Sequence, residues 1–166
     1  MRCKRIFLVG FMCSGKTTFG KLLSESLGWR FVDIDQEVER KEEMPIREIF
    51  EKKGEEYFRK LEFEMLRSIA EKEKVIISTG GGLGANQKAM EFMKSKGLVV
   101  WLKIDFESFL ERCEQDPSRP LLKRGKEELL RLFENRAQAY KQAHLILDGT
   151  GNPKELISKV FEACRD

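Results

Sequence analysis

Gly10-Phe11-Met12-Cys13-Ser14-Gly15-Lys16-Thr17 fits the pattern G-x-x-x-x-G-K-[ST], and its flanks fit the context that pattern needs. The apolar run Ile6-Phe7-Leu8-Val9 feeds it. After it, Phe19, Leu22, Leu23 and Leu27 fall at i, i+3, i+4 and i+8, one face of a helix. A strand that turns through glycines into a helix presents successive backbone N–H groups to an anion, with the positive end of the helix dipole behind them. Lys16 is then placed to reach the outer phosphates of a nucleotide, and the Thr17 hydroxyl to hold Mg²⁺. At everyday residue frequencies a chain of this length matches the pattern roughly once in two hundred. The required strand and helix make an accidental match rarer still.

Beyond this loop, apolar runs and helical patterns alternate. Arg30-Phe31-Val32-Asp33-Ile34-Asp35 reads as a short strand ending in two carboxylates, followed by a helix-rich stretch from about 37 to 73 that Gly54 breaks. Val75-Ile76-Ile77-Ser78 is a buried strand stopped by Gly80-Gly81-Gly82. A helix over about 86–96 ends at Gly97. Leu98 to Leu102 and Leu145 to Leu147 complete five strands, and a last helix is expected to bury Leu156, Ile157, Val160, Phe161 and Cys164. Short apolar strands alternating with helices predict an α/β fold, a five-stranded parallel sheet flanked by helices on both faces. Such sheets bind ligands outside the carboxyl ends of their strands. The phosphate loop, Asp33/Asp35 and the triple glycine each follow a different strand, so this rule gathers them into one crevice.

At 166 residues, 41% of them hydrophobic, the chain is long enough for one domain with a real core. A net charge of +3 is too small for a dedicated nucleic-acid binder, and no apolar run approaches a membrane span. Cys3, Cys13, Cys113 and Cys164 show no metal-binding spacing, and a structural disulfide within the phosphate loop is hard to place. A reducing cytoplasm is the simplest address. The Lys/Glu-rich surface, with three Asn and four Pro, has a thermophilic cast. His144, the one histidine, opens the fifth strand and reads as structural.

Several side chains carry candidate chemistry. In an extended chain Asp33 and Asp35 leave the same face; one can hold a metal through water and the other take a proton from an attacking hydroxyl. The alternatives are a helix N-cap or solvated loop acids. Gly80-Gly81-Gly82 can cradle an anion or a hydroxyl, or simply be a loop. Arg59 and Glu62, at i and i+3, can aim a guanidinium at a ligand carboxylate, or form one more exposed helical ion pair. Arg119 sits between Pro117 and Pro120 in a polar break, and Arg136 lies on a helix among apolar neighbours.

Taken in order, Gly10 to Thr17, Asp33-x-Asp35, Phe58-Arg59-x-x-Glu62, Gly80-Gly81-Gly82, Arg119-Pro120-Leu121-Leu122 and Arg136-x-x-x-Tyr140 closely resemble the shikimate kinase family over nearly the whole chain. The resemblance implies a P-loop fold like that of nucleoside monophosphate kinases, spanning 1–166 as one domain. Within it come a helical substrate-binding insertion at about 35–62 and a lid at about 114–126. It implies transfer of the γ-phosphoryl group of ATP to the 3-hydroxyl of shikimate, with Mg²⁺. By position, Gly10, Cys13, Ser14, Gly15, Lys16, Thr17 and Thr18 bind ATP. Arg112 lies against the adenine and Asn152-Pro153 forms the other side of that pocket. Thr17 and Asp33 serve the metal. Asp35, Arg59, Gly80, Gly81, Gly82 and Arg136 hold shikimate, with Glu62 orienting Arg59, and Lys16, Asp35 and the lid residue Arg119 carry catalysis. A monomer free of nucleic acid and membrane is expected.

Rival readings are a gluconate or nucleotide kinase of the same architecture, and a GTP-dependent switch. The Arg59/Arg136 pair with Asp35 suits a carboxylated polyol better than a second nucleotide, and the N-K-x-D tetrad of guanine readers is absent. Many family members carry Gly at the position of Cys13, so this thiol is expected to react with alkylating reagents and to be protected by ATP.

Overall fold

Every residue of Ile6–Val9 is apolar, so the strand that contains it must be covered on both faces. In the computed structural model, which describes residues 2–114 and 125–165, that strand is β1 (Arg5–Val9), central in a parallel sheet. The other strands are β2 (Arg30–Asp33), β3 (Val75–Ser78), β4 (Leu98–Lys103) and β5 (Leu145–Asp148), and among the described residues the order is β2-β3-β1-β4-β5. Leu8 stands opposite Ser78 on one side and Val100 on the other.

The two-residue period of the strands separates two cores. Ile6, Leu8, Val100 and Leu102 face one core, which α1 (Lys16–Leu27) and α9 (Pro153–Arg165) fill with Phe19, Leu23, Leu156 and Val160. Phe7, Val9, Val99 and Trp101 face the other. There α2 (Ile34–Glu42), α3 (Ile46–Lys53) and α4 (Glu55–Ile69) contribute Val38, Ile49 and Phe58. The same core takes Leu83 from α5 (Gly81–Gly84), Met90 from α6 (Gln87–Lys96), Phe109 from α7 (Phe106–Glu114) and Tyr140 from α8 (Lys126–Tyr140). Each fully buried large side chain contributes about 1.5–3 kcal/mol of transfer free energy, which makes these faces the main source of stability.

Helix boundaries follow local chemistry. Gly28 ends α1 at φ 70°, its N–H bonded to the Ser24 carbonyl at 2.8 Å. Gly54, at φ 90°, separates α3 from α4. A further break at Glu43–Pro45 divides the helix-rich stretch once more; Glu43 takes φ 55°, and Pro45 is the N-cap of α3. Asn86 caps α6 by accepting the Ala89 N–H at 3.0 Å.

Three expectations are corrected, and a disulfide that none of them covered is added. Strand β2 stops at Asp33, whose carboxylate accepts the Gln36 N–H at 3.3 Å and caps α2, so Asp35 projects from a helical first turn and not from a strand. The triple glycine does more than stop β3, because Gly81 and Gly82 begin the one-turn helix α5. In α1, Leu22 is exposed, and in α9 Ile157 and Phe161 are half-buried. Finally, Cys3 and Cys164 form a disulfide with Cα atoms 5.1 Å apart, because the approach to β1 and the end of α9 lie side by side; Arg2 and Cys3 N–H groups both donate to the Cys164 carbonyl. Among the described residues no helix is long and apolar enough to cross a membrane. The sequence-predicted lid, with Arg119, Lys123 and Arg124, lies almost wholly outside the described residues.

Candidate active site

Because β2, β3 and β1 are neighbours, Asp33, Ser78 and Val9 end side by side, and everything that follows them converges. The loop after β1 is held open by backbone of unusual hand. Cys13 sits at φ 62° and Gly15, the N-cap of α1, at φ 93°. The first turn of α1 carries no acidic side chain and no side-chain cap, so its N–H groups face a ligand without local competition. Lys16 folds over the loop, its Nζ donating to the carbonyls of Gly10 (2.6 Å) and Phe11 (3.1 Å). The Thr17 hydroxyl donates to Asp33 Oδ2 at 3.3 Å. One hydroxyl and one carboxylate side by side are hard oxygen donors, and Mg²⁺ takes one or two such protein groups and fills its other positions with water and phosphate. The residues present therefore fit Mg²⁺.

Two clefts meet at this loop. The first, about 450 Å³, is lined by Cys13, Thr18, Leu22, Arg112, Pro153 and Leu156, among others. Its outer wall explains why Leu22 is exposed at a position with helical core spacing. Arg112 reaches back from α7, its Nη1 donating to the Cys13 carbonyl at 3.1 Å. Of the predicted Asn152-Pro153 pair, Pro153 lines the cleft, whereas Asn152 is exposed and its side chain accepts the Lys154 N–H. Gly149 and Gly151 also line it and were not singled out as site residues. The signal available was the crowding of Gly149-Thr150-Gly151-Asn152-Pro153 after a strand.

The second cleft, about 380 Å³, shares Cys13, Ser14, Gly15 and Thr18 with the first and continues to Asp35, Arg59, Glu62, Arg136 and Gly80–Gly82. Here the three glycines have individual reasons. A Cβ on Gly80 would lie 2.8 Å from Asp35 Oδ2, one on Gly81 2.8 Å from Arg136 Nη1, and one on Gly82 would overlap the Arg59 guanidinium. Each glycine thus lets one charged side chain lie flat against the start of α5. Arg59 is held by Glu62, Nη1 to Oε1 2.8 Å, and Glu62 is only 1% exposed, so this is no ordinary solvated helical pair.

Burial shapes the acids. Asp35 is raised from 3.8 to about 6, first by desolvation and then by the charge of Asp33, against the pull of Lys16. Glu62 rises from 4.5 to about 7, again through desolvation, which outweighs the hydrogen bond from Arg59. Oδ1 of Asp35 is buried without a hydrogen-bond partner among the described residues, on a side chain that lines the second cleft.

Tyr140 received no role from sequence. Its hydroxyl donates to the Gly81 carbonyl at 2.6 Å, its ring packs on Trp101 at 5.6 Å between centroids, and it is 1% exposed. The phenol resists ionisation because of burial. It pins the α5 turn from beneath, one helical turn after Arg136. A buried tyrosine needs a hydrogen-bond partner, which was the legible clue. His144 is structural as expected: its Nδ1 accepts the Val99 N–H at 3.0 Å.

One substitution isolates the cradle. Gly82 has no positive φ, so Gly82→Ala strains no backbone but displaces the Arg59 guanidinium. Loss of one charged contact is worth about 1.5–3 kcal/mol. The expected result is an anionic ligand bound roughly 10- to 100-fold more weakly in the second cleft with affinity at the phosphate loop unchanged; equal effects on both would show that the turn has collapsed.

Comparison with known proteins follows this geometry. The family model for shikimate kinase matches residues 12–165. The shikimate kinase of Aquifex aeolicus is 54% identical over 157 residues, 95% of this chain and 94% of that protein. Its solved structure superposes with a TM-score of 0.88 at 53% identity, covering 97% of this chain and 96% of that one. The shikimate kinase of Acinetobacter baumannii, solved in complex with shikimate, gives a TM-score of 0.87 at 36% identity, with 97% and 92% covered.

Proposed function

This chain belongs to the shikimate kinase family, and on that premise we propose which of its residues carry each part of the reaction. The protein is an ATP-dependent kinase that transfers the γ-phosphoryl group of ATP to the 3-hydroxyl of shikimate, giving shikimate 3-phosphate and ADP on the route to the aromatic amino acids. The observation that supports the residue assignment best is the pairing of Gly80, Gly81 and Gly82 with Asp35, Arg136 and Arg59 beside the phosphate loop.

Phosphoryl transfer asks for charge neutralisation and in-line placement more than for covalent chemistry from the protein. The loop N–H groups and Lys16 bind the phosphates of ATP, which extends along the first cleft past Arg112. Thr17 and Asp33 would hold Mg²⁺, and that ion would supply positive charge to offset the charge that develops on the transferring group. Arg59 and Arg136 grip the shikimate carboxylate, and Glu62 fixes the Arg59 fork. This leaves the acceptor hydroxyl near Asp35. With a proton affinity near 6, Asp35 is ionised at neutral pH and can accept the hydroxyl proton as the oxygen bonds to phosphorus and the bond to ADP breaks. Arg119 and the lid at about 114–126 complete the assignment as the group that closes over the phosphates and excludes water. The protein is further read as a monomer of the cytoplasm, without nucleic-acid or membrane partners. A disulfide is unusual there outside hyperthermophiles, and the Lys/Glu-rich surface belongs to the same pattern.

A coupled assay of ADP release with a panel of acceptors tests substrate and residues together. ADP release should depend on shikimate and not on gluconate or a nucleoside monophosphate. Arg59→Ala should raise the KM for shikimate by roughly 100-fold and spare the KM for ATP, the scale of a lost charged pair. An unchanged acceptor KM would remove Arg59 from the carboxylate site.

A further inference from the structure

Cys13 and Cys113 are separated by a hundred residues, yet their sulfur atoms lie 2.8 Å apart. Cys13 is half-buried in the phosphate loop and lines both clefts, so a small reagent in either can reach it. Cys113 is 4% exposed and fixed on the inner face of α7. The neighbouring Arg112 already ties α7 to the loop through the Cys13 carbonyl. Cys13 also holds φ 62°, a conformation that costs a non-glycine residue about 1 kcal/mol and that Gly would adopt freely.

We propose that Cys13 and Cys113 form a reversible thiol–disulfide modification site whose oxidation by a peroxide switches off nucleotide binding. In the first step the Cys13 sulfur attacks one oxygen of hydrogen peroxide. The O–O bond breaks, Cys13 becomes a sulfenic acid and one water leaves. In the second step the Cys113 sulfur attacks the sulfenic sulfur, its proton leaves with the displaced hydroxyl as a second water, and the S–S bond forms. Two thiols lose two electrons and one peroxide gains them. A disulfide requires sulfurs at about 2.05 Å, so the pair must close by roughly 0.8 Å. Cys113 is anchored in the core, so the loop does the moving. The N–H groups on either side of Cys13 then leave the positions from which they meet phosphate, and misplacement on the 1 Å scale costs about 10²-fold. Bound nucleotide opposes the movement and covers Cys13, so ATP protects. The loss of ATP affinity rests on the kinase reading above; the bond itself does not.

The full-length protein is treated with hydrogen peroxide, with and without MgATP, and its cysteine peptides are mapped by mass without reduction. Nucleotide affinity is measured in parallel by calorimetry. The expected result is a Cys13–Cys113 peptide in addition to Cys3–Cys164, ATP affinity at least 10-fold weaker, full recovery with dithiothreitol, and bond formation at least 10-fold slower with saturating MgATP. Cys113→Ala should keep normal turnover before oxidation and form no such bond. With continued peroxide its inactivation should come to resist dithiothreitol, because a sulfenic acid with no resolving thiol is oxidised by a second peroxide to the sulfinic acid, with loss of one more water. A wild-type protein oxidised at Cys13 without the cross-link, or cross-linked with ATP affinity intact, overturns the proposal. If the reduced wild-type protein fails to bind ATP, the kinase reading fails instead. The peptide map needs no variant, so a poorly folding Cys113→Ala does not leave the question open.

Discussion

Lys16→Met lowers turnover by roughly 10³-fold or more, the scale set by removing one group that meets developing charge on a transferring phosphoryl group. Methionine is one atom shorter and keeps much of the apolar stem, so what is lost is chiefly the charge and its donors. The N–H groups of the loop and α1 remain, and ATP affinity should weaken less than turnover, by about 10-fold. Nζ donates to the Gly10 and Phe11 carbonyls, so a modest stability cost of about 1 kcal/mol accompanies the change. Coupled ADP release beside a thermal melt separates the two effects. More than a tenth of wild-type turnover in a folded variant would take Lys16 out of the chemistry.

Asp35→Asn is expected to cut turnover by roughly 10²- to 10³-fold and at the same time to make the protein more stable. Burial raises the Asp35 carboxyl to about 6 in the folded protein, whereas the unfolded chain titrates it near 3.8. The folded state therefore holds this proton more tightly, and the ionised carboxylate weakens the fold progressively as pH rises from about 4 to 6. Above 6 the whole penalty is present, of order 2–3 kcal/mol. Asn removes it, so Tm should rise by about 5 °C at pH 7.5 and hardly at all at pH 4. The wild-type kcat/KM for shikimate should fall as pH drops through about 6, because the base becomes protonated. Near-normal rates with Asn would reduce Asp35 to a hydrogen-bonding residue. A flat difference in Tm across pH would show that its burial carries no cost.

Much of this site could be read from the chain before any coordinates, for physical reasons that differ by residue. The phosphate loop is local: glycine placement, a preceding apolar run and a following helical period all lie within about twenty residues, so spacing alone carries the geometry. The parallel sheet was legible because strands buried on both faces are uniformly apolar, as in Val75–Ile77. The order of the strands was not, since nothing in β3 states that it lies between β2 and β1. The carboxylates were found, but with the wrong backbone under Asp35. Strand and helix differ there by a single cap: Asp33 accepts the Gln36 N–H with one oxygen and the Thr17 hydroxyl with the other. Glu62 was singled out with Arg59, but its burial was not legible, because α4 packs against α2, α3 and α5 and no local pattern states those contacts. Cys3 with Cys164 and Cys13 with Cys113 are contacts across 161 and 100 residues, and no local pattern encodes such pairs. The two cysteine pairs are thus the part of the molecule that only the fold discloses.

The Cys3–Cys164 bond also changes what kind of object the polypeptide is. It closes residues 3 to 164 into a covalent circle, so within that span no end is free to unravel. Unfolding by peeling away the first strand or the last helix is closed off, and opening must start from an internal seam. A single peptide break at the Glu43–Pro45 turn between α2 and α3 would yield one circularly permuted molecule and not two pieces. Its new ends would lie on the acceptor side, while the central strand and the last helix would stay joined where the old ends met.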